Sequence, residues 1–338
     1  MILESTEKIR QKIDLSREEM ASVMAEIMAG NAPTPQIVQF LEALSAKGET
    51  IEEITAAAQV MCAHAVRISS KKETVLDTCG TGGDRKDTFN ISTVAAFVVA
   101  GCGITVAKHG NRAVSSSCGS ADILEAVGVK INLSKEKIER ALDEIGIAFL
   151  FAPNMHPAMK HAMAARKEIG KRTIFNILGP LCNPAKATHQ LIGVFDPGLA
   201  PVLAQVAGNL GVKHALAVHG KDGLDEITTT GMTFISEFVN GKVNSYEISP
   251  KDFGMRLVPP EDLLGGSAQD NAQIMLEVLN SKAGAARDIV VLNSAAALYA
   301  VDRVSSIKAG ISLAMDSIDS GRALRKLAFL KELSNEKN

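Results

Sequence analysis

From Glu73 onward the chain repeats one pattern, a short run rich in β-branched residues followed by a helical stretch. The runs are Thr74 to Leu76, Ile104 to Ala107, Ile147 to Phe151, Leu191 to Phe195 and Ala215 to His219. Strands separated by helices cannot pair as tight hairpins. The alternation therefore predicts an α/β fold with a mainly parallel central sheet and helices on both faces. Two further runs, Thr233 to Phe238 and Lys242 to Ile248, are joined by Asn240-Gly241 and predict a hairpin added to that sheet. From about Asp270 the patterning returns to helix.

Ahead of this region the first seventy or so residues carry only helical signals. Ser16 with Glu19 reads as a capping box, Met20, Val23, Met24 and Ile27 form one apolar row, and Gly30 terminates it. Two more helices are expected, roughly Thr34 to Ala46 and Ile51 to Arg67. Their Ala and Met content suits packing of helix on helix, within the chain or against a second subunit. At 338 residues the chain exceeds a usual single domain. We expect a small all-helical domain over residues 1–70 and a larger α/β domain over 71–157 and 186–338. The stretch His161 to Cys182 is helical without an intervening strand, so residues of about 158–185 are expected to leave the sheet and pack on the N-terminal helices.

Composition narrows the function. Lys plus Arg total 36 against 38 Asp plus Glu, which provides no broad positive field for nucleic acid or an anionic membrane. With no Trp and two Tyr, a base-stacking surface is disfavoured as well. The apolar run Val94 to Ala107 is broken by Gly101 and Gly103 and is too short to span a bilayer, and the N-terminus has no apolar leader. Cys62, Cys79, Cys102, Cys118 and Cys182 are an odd number without a close CxxC pair, which fits a reducing compartment. The expectation is a cytoplasmic protein that handles small molecules.

Three motifs carry the chemistry. The first, Asp77-Thr-Cys-Gly-Thr-Gly-Gly-Asp84, follows a predicted strand and precedes Asn90-Ile-Ser-Thr93 at the start of an apolar helix. Gly80, Gly82 and Gly83 let backbone amides approach an anion, and a helix N-terminus favours phosphate. An ordinary glycine turn with Ser or Thr capping accounts for the same glycines equally well. Neither GxGxxG nor GxxxxGK[ST] is present, so dinucleotide binding and P-loop chemistry are disfavoured. The second motif, Lys108-His-Gly-Asn-Arg112, sits just after a predicted strand, where open α/β sheets place ligand loops, and Ser115, Ser116, Ser117 and Ser120 follow with hydroxyl donors. The third is Asp225-Glu226. Alone, such a pair is usually solvated surface; beside a diphosphate cradle, its hard oxygens suit magnesium.

These strings, together with HPAMKHAMAARKEIGKRTIFNILGPLCNP, occur in the order and spacing of the anthranilate phosphoribosyltransferase family, and the resemblance spans essentially the whole chain. It implies the fold shared with pyrimidine nucleoside phosphorylases and a homodimer made through the helical domain. It also implies transfer of phosphoribosyl from 5-phosphoribosyl 1-diphosphate to the amine of anthranilate in tryptophan biosynthesis. Carried over by position, it assigns the diphosphate and ribose phosphate to Gly80, Gly83, Asp84, Thr88, Asn90, Ile91, Ser92, Thr93, Lys108, His109, Gly110, Asn111, Arg112, Ala113, Val114, Ser115, Ser116 and Ser120. Anthranilate is assigned to Gly80, Asn111 and Arg166, with His156 lining its approach. Ser92, Asp225 and Glu226 are assigned to magnesium, with two Mg2+ per site. The catalytic set this implies is Lys108, Asp225 and Glu226, acting by electrostatics and positioning, with no obligatory general base because an aryl amine is already neutral near pH 7.

Three rivals are weighed against it. A pyrimidine nucleoside phosphorylase is expected to carry a longer glycine loop than Cys79 to Asp84 provides. A relative using another aromatic acceptor keeps every motif. A non-enzymatic nucleic-acid-binding relative is opposed by the intact acidic pair and the net charge of -2.

Overall fold

The computed structural model describes residues 1–113 and 117–337. Four helices come first: α1 (Ile2–Arg10), α2 (Arg17–Met28), α3 (Thr34–Lys47) and α4 (Ile51–Ala63). Capping boxes at Ser16/Glu19 and Thr50/Glu53 start α2 and α4, each satisfying N–H groups that a helix start leaves unpaired. The row Met20, Val23, Met24 and Ile27 is buried as its spacing requires. Helix α4 stops at Ala63, four residues short of the expected Arg67. Tertiary pairing overrides the helical pattern there, because Val66 N–H donates to Met155 O (2.8 Å) and Ile68 N–H to Pro184 O (3.1 Å).

The sheet region then runs β1 (Val75–Thr78), α5 (Ile91–Gly101), β2 (Thr105–Gly110), α6 (Ser120–Ala126), α7 (Lys135–Arg140) and β3 (Ile147–Phe151). The chain next passes through α8 (Ala152–Met155), α9 (Lys160–Ile169) and α10 (Phe175–Leu178). It returns as β4 (His189–Gly193), α11 (Leu199–Asn209), β5 (His214–Gly220), β6 (Thr233–Val239) and β7 (Lys242–Ile248). Helices α12 (Ala268–Leu279), α13 (Ala285–Ala300), α14 (Ile307–Asp319) and α15 (Arg322–Asn335) complete it.

The seven strands lie in the order β3-β2-β1-β4-β5-β6-β7, parallel from β3 to β5 and antiparallel across β5–β6 and β6–β7. Asn240 (φ 51°) and Gly241 (φ 77°) close the β6–β7 hairpin with both central residues at positive φ, the twist that suits flanking strands. Strand β4 begins two residues before the expected Leu191, because the polar His189 and Gln190 pair with Leu76 and Asp77 of β1.

Successive strands grow outward from β1 to β2 and β3, then switch to β4 on the other side of β1. Open α/β sheets bind ligands at the carboxyl ends of strands flanking such a switch, here those of β1 and β4. Two apolar cores back this arrangement. One lies beneath β1–β3, α5 and α12–α15. The other joins α1–α4 to Ala162 and Ala165 of α9, to Phe175 and Leu178 of α10, and to α11 and the face of β4 and β5 bearing Ile192, Ala215 and Ala217. Among the described residues no helix is long and apolar enough to cross a membrane.

Candidate active site

At the switch point, β1 runs into the glycine loop. Gly82 (φ 64°) and Gly83 (φ 81°) hold left-handed backbone, and a Cβ on Gly80 would stand 2.9 Å from Asp225 Oδ2 and 3.3 Å from Gly193 O. Only glycine lets the loop after β1, the end of β4 and the Asp225 loop approach so closely. Asp225 Oδ2 accepts from Gly82 N–H (2.9 Å), and Glu226 Oε1 accepts from Ser92 N–H (3.0 Å) in the first turn of α5. The acidic pair is thus laid on backbone donors of the two segments expected to hold phosphate. The third carboxylate, Asp84, sits beside them, its Oδ2 3.5 Å from Asp225 N.

The electrostatics follow from burial. Asp225 is pushed well above the usual carboxylate range by burial, then by the charges of Asp84 and Glu226. Glu226 is raised to about 7 by burial, with Lys108 opposing. Asp84, Asp225 and Glu226 group three oxygen-donor side chains beside the Gly82 and Ser92 amides, a donor set suited to a hard divalent cation, which would relieve the charge that is costly to bury at Asp225 and Glu226. The buried Thr93 Oγ1, one residue beyond Ser92, has no hydrogen-bond partner.

Lys108 is buried at the centre of β2. Its ammonium donates to Thr78 O (2.5 Å) and faces Ser92 Oγ at 3.4 Å, so it braces β1 and α5 from beneath the loop. Asn90 is held from two sides: its Nδ2 donates to Cys118 O (3.0 Å), and its Oδ1 accepts from Asn271 Nδ2 (3.1 Å). Ile91 contributes its side chain to the core, so only its backbone can face a ligand. Thr88 forms an isolated antiparallel bridge with Leu264.

In the Lys108–Arg112 motif, His109 N–H is committed to Asp77 Oδ1 (3.0 Å), and a Cβ on Gly110 would meet the Phe149 ring at 2.7 Å. Asn111 Oδ1 accepts from Arg112 N–H (2.8 Å). Arg112 is exposed and paired with Asp122 (2.9 Å) and Glu125 (2.6 Å), while Asp122 Oδ2 also gathers the Ala113 and Gly119 N–H groups at the start of α6, where Ser120 lies half-buried. Val114, Ser115 and Ser116 lie outside the described residues.

A second constellation lies toward α9 and α10. The rings of His109 and His156 are 5.0 Å apart, both buried, and His109 Nδ1 contacts Gly179 O at 3.1 Å. Burial first, and the neighbouring His156 second, lowers His109 to about 3; burial lowers His156 to about 4. Both imidazoles are neutral at physiological pH. On α9, Arg166 is half-buried with its guanidinium 5.7 Å above the Phe175 ring, whereas the adjacent Lys167 is exposed. Burial lowers the pKa of Arg166.

Sequence reasoning gave no role to Asp77, Asn183 or Arg172. Asp77 is buried, raised to about 6 by burial, and bonded to Asn183 Nδ2 (2.7 Å), which also reaches Ala107 O (2.8 Å). Arg172, in the turn before α10, donates to Gly83 O and stacks over Phe195 at 3.6 Å. All three lie inside recognisable strings, but nothing local marks contacts to partners so distant in sequence.

Family models agree with this geometry: a glycosyl transferase family helical bundle domain matches residues 3–65 and the a/b domain of that family matches residues 72–324. The chain is 52% identical over 322 residues to an anthranilate phosphoribosyltransferase of Symbiobacterium thermophilum, covering 95% of this chain and 94% of that one. It is 53% identical over 339 residues to that of Methanocorpusculum labreanum, covering 100% and 99%. The crystal structure of the enzyme from Thermus thermophilus superposes with a TM-score of 0.93 at 38% identity, over 98% of this chain and 99% of that one. The enzyme from Saccharomyces cerevisiae in complex with PRPP and Mg gives 0.90 at 27% identity, over 98% and 97%.

Proposed function

The chain belongs to the anthranilate phosphoribosyltransferase family, and from that premise we infer that it transfers phosphoribosyl from 5-phosphoribosyl 1-diphosphate to the amine of anthranilate. Diphosphate is released, and the product enters tryptophan biosynthesis. The observation that carries this reading is the seating of Asp225 on the Gly82 amide and of Glu226 on the Ser92 amide at the sheet's switch point, with Asp84 beside Asp225.

On this reading the glycine loop, the first turn of α5 and the Lys108–Ser120 region bind the diphosphate and ribose phosphate. Asp225, Glu226 and Ser92 would hold magnesium, two ions per site, which when bound neutralises charge on the leaving diphosphate. Lys108 adds a fixed positive charge beneath the same loop, and the Gly82 and Ser92 N–H groups can turn from carboxylate to phosphate. Arg166 pairs with the acceptor carboxylate, which orients the amine toward the sugar carbon. Neutral His156 lines the acceptor approach, and its neighbour His109, also neutral, belongs to the Lys108–Ser120 region. The amine attacks through its own lone pair, so the site needs no strong base.

The helical region, residues 1–70 with about 158–185, supplies the acceptor side, and the remaining residues the donor side. A homodimer through the helical region is supported by the exposure of the apolar side chains Met1 (61%), Leu3 (54%) and Ile13 (46%) near the start of that region, and the protein is read as cytoplasmic. The decisive assay follows loss of anthranilate fluorescence with phosphoribosyl diphosphate and magnesium, beside a panel of other aromatic amines and acids. Turnover of anthranilate above every other acceptor is expected; preference for another acceptor would overturn the assignment.

A further inference from the structure

Helix α13 is apolar through Ile289, Val290, Val291 and Leu292, then places Asn293 at full burial. An amide in such a setting is costly unless every polar atom is matched. Here each is: Oδ1 accepts from Ile227 N–H (3.0 Å), and Nδ2 donates to Ile227 O (2.8 Å) and to Ile289 O (2.9 Å) in its own helix. One side chain therefore fixes both main-chain groups of Ile227, as a neighbouring strand would.

Ile227 directly follows Glu226. On its other side the same loop is gripped by Asp222, which accepts from Leu224 N–H (3.1 Å) and from the Thr228 hydroxyl (2.7 Å). The segment bearing Asp225 and Glu226 is thus clamped at both ends, and the clamp at Ile227 comes from a helix that places none of the expected site residues. We propose that Asn293 is a positioning residue for the cation site, setting the direction in which Asp225 and Glu226 present their carboxylates. The proposal rests on the reading of that pair as magnesium ligands.

The test measures Mn2+ binding, by the electron paramagnetic resonance signal of the free ion, with diphosphate present and no turnover. Wild type is compared with Asn293→Ala, Asn293→Asp, Asp225→Asn and Ser334→Ala. Residues that orient metal ligands typically change affinity by about 10–100-fold, so Asn293→Ala is expected to weaken Mn2+ binding at least roughly tenfold. Asn293→Asp keeps the volume and the acceptor for Ile227 N–H but faces Ile227 O with an oxygen, so it should weaken binding too. It stands in if the alanine variant fails to fold. Ser334→Ala removes a half-buried bond to Lys130 N–H (3.0 Å) away from the site and should lower the melting temperature without touching Mn2+ affinity. Wild-type affinity in a folded Asn293 variant, with weak binding by Asp225→Asn, overturns the positioning role alone. Wild-type affinity in Asp225→Asn overturns the metal reading beneath it.

Discussion

Asp225 Oδ2 accepts the Gly82 N–H at 2.9 Å, and with it the acidic loop after β5 closes onto the glycine loop after β1. Glu226 repeats the contact one residue on, at Ser92 N–H. On the proposed function the carboxylates occupy donors that a diphosphate would use, so substrate binding would exchange partners: amides from carboxylate to phosphate, carboxylates from amide to cation.

Neutral amides at these positions should break the exchange. Asp225→Asn and Glu226→Gln are expected to raise the magnesium concentration for half-maximal activity by roughly tenfold or more. Burial raises Glu226 to about 7, and as a magnesium ligand it would act through its anion, so apparent magnesium affinity should strengthen from pH 6 to pH 8 in wild type. Glu226→Gln should flatten that profile; coincident curves for variant and wild type would remove Glu226 from the site.

Arg166 and Lys167 form a matched pair of adjacent cations, one half-buried and one exposed. A charge-assisted hydrogen bond contributes about 1.5–3 kcal/mol, so Arg166→Ala should raise the KM for anthranilate roughly tenfold to a hundredfold. Lys167→Ala should leave it unchanged, and the KM for phosphoribosyl diphosphate should move little in either variant. Steady-state kinetics with each substrate varied in turn decides this.

Arg172 ties the turn before α10 to the carbonyl of Gly83 and rests on Phe195. Losing one bond from a charged donor to that carbonyl, with its stacking, amounts to about 1–2 kcal/mol. Arg172→Met should therefore weaken phosphoribosyl diphosphate binding by roughly fivefold to thirtyfold in calorimetry. An equal loss for both substrates would assign Arg172 to general stability.

Far from the cleft, His214 bridges Glu237 Oε1 (2.8 Å) and Asp302 Oδ1 (2.9 Å). Burial alone would lower its pKa, but the two carboxylates outweigh burial and raise it. A raised histidine stabilises the fold fully below the unfolded value of about 6.5, and the contribution fades as pH rises through the folded value. The melting-temperature advantage of wild type over His214→Gln should shrink from pH 6 toward pH 9. An advantage that grows with pH would contradict the assignment.

Charges placed at the exposed Leu3 of α1 and at the exposed Ile13 just beyond it should weaken the proposed self-association. Leu3→Lys with Ile13→Lys is expected to shift the protein toward monomer in sedimentation equilibrium, with the fold intact by circular dichroism. Unchanged association would place the dimer contact elsewhere.

Much of this was legible in sequence because it is local. The Asn240-Gly241 turn and the Ser16–Glu19 box rest on neighbouring residues, and β3 and β7 coincide with their β-branched runs. The beginning of β4 at His189 was hidden because polar residues there are buried by register, not by hydrophobicity. The three motifs marked the site since each needs a particular backbone. What stayed invisible were long-range polar contacts, such as Asn293 to Ile227 and Asn183 to Asp77, where a buried amide looks in sequence like any other asparagine.

The second apolar core does not stop at the edge of the helical region. It passes from α1–α4 through α11 to Ile192 and Val194, and to Ala215 and Ala217, on one side of the sheet. Asn209 Nδ2 donates to Thr55 Oγ1 (3.3 Å) across the same seam. Two regions that read as separate in sequence therefore share one reservoir of buried surface. Stripping away the first would wet the flank of the second, so they should melt together as one cooperative unit. Stability of the sheet is thereby tied to α1–α4.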